Sequence, residues 1–222
     1  MGENRKIVNE LLDFEDSKTI AIGVDALYVF TYGNPVTCIK YEKFEDNCSK
    51  TELASLFATQ MLKFFSVANW ANTKIVLTGG QDNSADPSEK AFAYDIDSGE
   101  WQSLPSMNIP RDSHSSTCIG DKLFVACGYI SAFELLNSVE MINLGLAPES
   151  QEWSMITVEG VLTPRYEPVF SPLGSDQLLL IGGGSETGFE QSGVIIDTIL
   201  NTVTAIEPQS KSKRGLMKLI MN

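Results

Sequence analysis

Three short apolar runs end in glycine at nearly constant spacing, and that period limits the fold more than any other feature of the chain. "KIVLTGG" closes on Gly79 and Gly80, "KLFVACG" on Gly128, and "QLLLIGGG" begins its glycines at Gly182. The first glycines lie 49 and 54 residues apart, and a weaker run, "ALYVFTYG", ends at Gly33, 46 residues before Gly79. Arg111 and Arg165, each after a proline, both stand 17 residues before their glycine. Tryptophans follow the glycines at 22 residues (Trp101) and 25 (Trp153), with Val203 at 21 in the last copy. A period of this size marks units that bury their surface against neighbouring units.

Each unit reads as four short strands. In the middle copy they are "HSSTCIG", "KLFVACG", "NSVEMINL" and "EWSMI", separated by turn residues. No stretch between them is periodic at 3.6 over ten residues, so a crossover helix is not expected. Four antiparallel strands repeating near fifty residues make one propeller blade.

The double glycine at Gly79 and Gly80, the segment "AYDIDSGEW" and the "PR" ahead of the next unit resemble the kelch repeat. The match runs from about Lys63 to Pro208. The third copy lacks the tryptophan, and the second has Gly128 and Tyr129 where a glycine pair is usual. The resemblance implies an all-β, kelch-like β-propeller of about four four-stranded blades, three clear and one degenerate. Four units form a tight ring, an open arc, or a pair with another molecule. The expected organisation is an N-terminal helix or tail over residues 1–16 and blades over 17–208, followed by a basic tail over 209–222. The blades divide at about 17–62 (degenerate), 63–109, 110–163 and 164–208.

Two other segments have helical alternatives. "RKIVNELLDFEDS" places Ile7, Val8, Leu11 and Leu12 at helical spacing. "LASLFATQMLKFF", Leu53 to Phe65, reads as the last strand of the degenerate blade and the first strand of the next, or as an amphipathic helix.

Charge and composition remove whole classes of function. The formal net charge is -13, with the acids spread along the chain, so nucleic acid is repelled. Apolar runs of five or six residues are far too short to cross a bilayer. The start "MGENRK" has Lys6 where a myristoylation signal wants Ser or Thr, and acids interrupt any secretory leader. Cys38, Cys48, Cys118 and Cys127 show no CxxC spacing, which suits free thiols in a reducing, cytoplasmic setting.

Chemical motifs dissolve on counting. A calcium loop begun at Asp95 puts Gly99 fifth and Ser106 twelfth, where glycine belongs sixth and glutamate twelfth. The segment reads instead as a hairpin with Asp97, Ser98 and Gly99 at its turn. "GGGSETG" mimics a dinucleotide fingerprint but leaves no room for a crossover helix. His114 is the single histidine, so a multi-histidine metal site is excluded, and no cofactor is expected.

Kelch-like propellers mostly bind proteins, so the resemblance implies a non-catalytic protein-protein interaction platform holding a partner segment on one loop face. In the family that face is built from loops which fall here at 81–90, 129–137 and 185–191 and around Arg111 and Arg165. The expected partner-binding residues are Arg111, Arg165, His114, Tyr129, Gln81, Asp82 and Glu186, with His114 also open to a structural role. The paired arginines suggest an acidic or phosphorylated partner, or else tie their loops to neighbouring blades. Self-association through open blade edges is a further expectation. The alternatives are a kelch-fold enzyme such as a sugar epimerase, and a decayed structural propeller.

Overall fold

The computed structural model describes residues 18–22, 26–32, 36–44, 47–52, 62–157 and 162–206. The expected N-terminal helix, the turn at Gly33 to Pro35, most of the Leu53 to Phe65 stretch and the basic tail lie outside the described residues.

Among the described residues the protein is all-β apart from one 3-10 turn at Pro148–Ser150. Blade 1 comprises β1 (Lys18–Ile22), β2 (Ala26–Thr31), β3 (Thr37–Phe44) and β4 (Asn47–Glu52). Blade 2 comprises β5 (Ser66–Trp70), β6 (Lys74–Thr78), β7 (Ala91–Asp95) and β8 (Trp101–Leu104). Blade 3 begins with β9 (Ser115–Ile119) and β10 (Lys122–Ala126), then projects a ribbon of β11 (Tyr129–Ser131) and β12 (Glu134–Leu135). It ends with β13 (Val139–Asn143) and β14 (Trp153–Ile156). Blade 4 repeats the plan with β15 (Val169–Leu173) and β16 (Gln177–Ile181), a ribbon of β17 (Gly184–Ser185) and β18 (Gly188–Phe189), then β19 (Gly193–Asp197) and β20 (Thr202–Ile206).

All four sheets are antiparallel meanders. Their innermost strands pack side by side in the order β1, β5, β9, β15, and no such packing joins β15 back to β1 among the described residues, leaving an open ring. The second strands "KIVLT" and "KLFVA" are apolar on both faces because a neighbouring sheet covers each face, while "QLLLI" meets blade 3 on one face through Leu178 and Leu180.

Successive side chains on a strand alternate between the two faces, and both faces are used. Val67, Ile75, Leu77 and Phe92 of blade 2 meet Tyr28, Phe30 and Cys38 of blade 1. The opposite face of blade 2, with Ala68, Val76 and Ala91, meets Leu123, Val125, Ile142 and Trp153 of blade 3. Phe124, Ala126 and Val139 on the far side of blade 3 meet Phe170, Leu178, Leu180 and Val194 of blade 4. The register places Val203 opposite Ile196 as Trp153 stands opposite Ile142 and Trp101 opposite Tyr94. Valine therefore takes the tryptophan's place in blade 4.

The turn after Asp95 is a hairpin: Asp95 Oδ1 accepts the amides of Asp97 (3.1 Å) and Ser98 (2.9 Å), and Gly99 has φ +72°. Blade 4 repeats the device with a different residue. Asp197 Oδ1 accepts the amides of Ile199 and Leu200, and Asn201, at φ +55°, stands where Gly99 does. Asparagine tolerates this left-handed backbone better than most residues.

One count is corrected. The pair that follows the second strand is Cys127–Gly128 in blade 3, not Gly128–Tyr129. Cys127 has φ +65°, matching Gly79 (+58°) and Gly182 (+68°), and Gly128 matches Gly80 and Gly183 at +91° to +97°. Cys127 N donates to Ser138 O as Gly79 N does to Lys90 O and Gly182 N to Ser192 O. Arg111 thus precedes its pair by 16 residues and Arg165 by 17. The extra residue sits in the turn from β15 to β16, three residues long where that from β9 to β10 has two.

Candidate interaction face

The segments leading into the innermost strands line one end of the axis, and blades 2, 3 and 4 build them alike. The residue two before each innermost strand has a left-handed backbone: Phe64 (φ +55°), Ser113 (+49°) and Glu167 (+48°). These three join blade to blade, with Ser113 N donating to Phe64 O at 2.8 Å and Glu167 N to Ser113 O at 2.7 Å. The residue before each pairs with the one after its own blade's two left-handed residues: Lys63 with Gln81, Asp112 with Tyr129, Tyr166 with Gly184. Gly80 N reaches Arg111 O, and Gly128 N reaches Arg165 O, both at 2.9 Å. A Cβ on Gly128 would fall 2.3 Å from Asp112 O, so only glycine fits there.

The side chains follow the same step. Gln81 Nε2 donates to Asp112 Oδ2 at 3.0 Å, linking blade 2 to blade 3. Tyr129 stacks on Tyr166 with ring centroids 5.2 Å apart and 30° between planes, linking blade 3 to blade 4. Burial pushes the Asp112 carboxyl up, against the hydrogen bonds of Gln81 and Ser113. Asp82 folds its own loop, Oδ1 accepting the amide of Ser84 at 2.8 Å. Glu186 is exposed in the β17–β18 ribbon. Gln81, Asp82, Tyr129 and Glu186 therefore all lie on this loop face.

Arg111 and Arg165 do not, which corrects the expectation that they project outward. Arg111 is fully buried; Nη2 donates to Glu140 Oε1 at 2.6 Å and Nη1 to Cys127 O at 2.9 Å. Glu140, buried in β13, also accepts the amides of Asn108 (2.8 Å) and Ile109 (3.2 Å), so it fixes the connector from blade 2. Arg165, 1% exposed, donates to Thr163 O, Gly182 O and Ser192 O. A guanidinium in a desolvated site needs such acceptors, and these consume the groups a partner would meet. With both arginines internal, the acidic or phosphorylated partner loses the seat that suggested it.

His114 is internal as well. Nε2 shares a 2.8 Å hydrogen bond with Thr78 Oγ1 across the blade 2 to blade 3 boundary, and Nδ1 has no protein partner. Burial, with Arg111 nearby, holds the imidazole well below its ordinary range, so it is neutral. Among the described residues no three His, Cys, Asp or Glu side chains form a metal-holding group, and no helix is long and apolar enough to cross a membrane.

Four residues escaped the sequence reading. Tyr166 follows Arg165 as Asp112 follows Arg111, a phase match that pointed to it. Glu140 is a lone charge inside an apolar strand, the usual sign of a buried partner. Phe133 and Phe189, 93% and 88% exposed, stand out on the two ribbons as large apolar side chains left in solvent.

The comparisons agree with this architecture. The family model of the kelch motif matches residues 71–108, within blade 2 and the connector after it. Kelch-like protein 21 of Bos taurus is 30% identical over 132 residues, 53% of this chain and 20% of that protein. The Homo sapiens protein of the same name is 35% identical over 71 residues, 32% of this chain and 11% of its own. F-box/kelch-repeat protein SKIP20 of Arabidopsis thaliana is 35% identical over 68 residues, 30% and 16% respectively. The chain thus spans a fifth or less of the length of these relatives. With a kelch motif in blade 2, repeated four-stranded sheets and recurring left-handed pairs, the chain has the build of a kelch-repeat β-propeller.

Proposed function

We propose that this chain is a non-catalytic protein-interaction platform and that its loop face holds a partner segment. One observation carries the reading: backbone bonds run from Phe64 through Ser113 to Glu167 and hold the loops as one surface. That surface presents the Tyr129–Tyr166 stack and the exposed Phe133 and Phe189. Apolar and aromatic groups left on a rigid surface are the usual mark of a contact site. The groups suited to catalysis, the single histidine and both buried arginines, are occupied with structural contacts. The kelch-like and F-box/kelch-repeat relatives are in keeping with the reading.

The experiment is partner capture from a lysate with the wild type, with Tyr129→Ala, Phe133→Ala on the loop face, and with Ile199→Ser, Leu200→Ser at the opposite end. Partners lost from the first pair alone support the reading. The same set on all three proteins overturns it.

A second reading, self-association, rests on the far face of blade 4. Val169, Leu179, Ile181 and Ile195 occupy the strand positions held in blade 3 by Ser115, Phe124, Ala126 and Met141, of which Phe124 and Ala126 are buried against the next blade, yet Val169 is 60% exposed. A dimer in sedimentation that Val169→Asp, Ile195→Asp dissociates supports it; a wild-type monomer at every concentration removes it.

A further inference from the structure

We propose that the segment held on the loop face is basic, with an arginine or lysine standing on the Tyr129–Tyr166 pair, an inference that rests on the platform reading above. The two rings come from adjacent blades and are set by backbone, not by chance packing. Tyr129 is fixed by two-way bonding with Asp112, and Tyr166 by the same bonding with Gly184. A Cβ on Gly184 would lie 2.2 Å from the Tyr166 ring, so that ring rests directly on bare backbone. Both tyrosines are half-buried and keep part of their surface toward solvent. Phe189 lies directly opposite Gly184 in the β17–β18 ribbon, and Phe133 tips the β11–β12 ribbon that starts at Tyr129.

Charge decides what such an aromatic patch accepts. Asp112 is bridged to Tyr129 through the backbone, and Glu167 adjoins Tyr166 in the chain. Burial first, then Tyr166 and the carboxylates of Asp112, Glu167 and Glu186, push the Tyr129 hydroxyl above its ordinary range. Glu134, exposed, adjoins Phe133, and Lys63 is the exposed base of the same lead-in position in blade 2. The arginines that would have received an acid are turned inward to Glu140 and to backbone carbonyls. A guanidinium or ammonium on a tyrosine face, with a carboxylate beside it, gains from both contacts. An acidic segment would meet like charge on a chain of net charge -13.

The test uses three labelled dodecapeptides, glycine alternating with arginine, with lysine and with glutamate. Each is titrated by fluorescence anisotropy into the full chain at low and moderate salt. The proteins are the wild type, Tyr129→Ala, Tyr166→Ala, and Ile199→Ser, Leu200→Ser as the opposite-end control, each checked for native circular dichroism. The conservative pair Tyr129→Phe, Tyr166→Phe keeps the rings if the alanine pair fails to fold. The arginine and lysine peptides are expected to bind the wild type, the phenylalanine pair and the control, and to weaken roughly tenfold on the alanine pair. Equal basic-peptide binding by all proteins means general attraction to an acidic chain and overturns the inference. Tyrosine-dependent binding of the glutamate peptide overturns the basic chemistry while leaving the platform standing. Tyrosine-independent partner capture, by contrast, removes the platform itself.

Discussion

Arg111 and Glu140 form a 2.6 Å ion pair in which both side chains are wholly buried, and the pair joins the lead-in of blade 3 to its third strand. Glu140 serves Asn108 and Ile109 as well, so the carboxylate holds the connector between blades 2 and 3. Removing one partner leaves a buried charge without compensation. Glu140→Ala is expected to cost about 3–5 kcal/mol in urea unfolding. Replacing both partners, Arg111→Met with Glu140→Leu, should cost much less; equal losses for the single and the double change would show that the charge is not the issue.

The glycines separate two costs. Gly128→Ala adds a Cβ 2.3 Å from Asp112 O, whereas Gly120→Ala meets nothing within 4 Å and suffers only its φ of +55°. The expected losses are about 3 kcal/mol or more for the first and about 1 kcal/mol for the second. Denaturation midpoints of the two variants check the order.

His114 should make the fold acid-sensitive. Its folded form is held neutral well below the ordinary value of 6.5, so below that pH the unfolded chain takes up a proton that the folded chain refuses. Stability is complete above about pH 6.5 and falls as the pH drops, by up to about 1.4 kcal/mol per unit. His114→Gln should flatten that slope. Asp95 and Asp197 act in a separate, more acid window. Each is lowered first by a backbone amide, that of Ser98 or Leu200, and each loses its contribution as the pH falls through its folded value. A pH series of unfolding free energies on wild type and variant checks the assignment.

Burial raises the thiols of Cys38, Cys118 and Cys127 to about 12. In a Cys48→Ser background, iodoacetamide at pH 8 should label the native protein slowly and the urea-unfolded protein rapidly. Fast labelling of the native protein would mean that these strands open far more than their packing implies.

The blade plan was legible because the apolar strands, glycines and tryptophans recur in phase, and Val203 could be placed by count alone. The Cys127 position was not, since residue type does not reveal a left-handed backbone where cysteine stands for glycine. Nor was the direction of the arginines. Their offset and preceding prolines are the same whether a guanidinium faces solvent or the core, and the outcome turns on Glu140 and on carbonyls 16 or 17 residues away. The tyrosine stack joins residues 37 apart in sequence through a repeat phase that becomes certain only once the Cys127–Gly128 pair is recognised.

The most direct measurement is hydrogen-deuterium exchange of the full chain with and without its captured partner. Protection confined to 129–135, 166–167 and 184–190 is the expected result. Protection at the opposite end, over 172–176 and 198–201, with the loop face unchanged, would contradict the placement of the interaction surface.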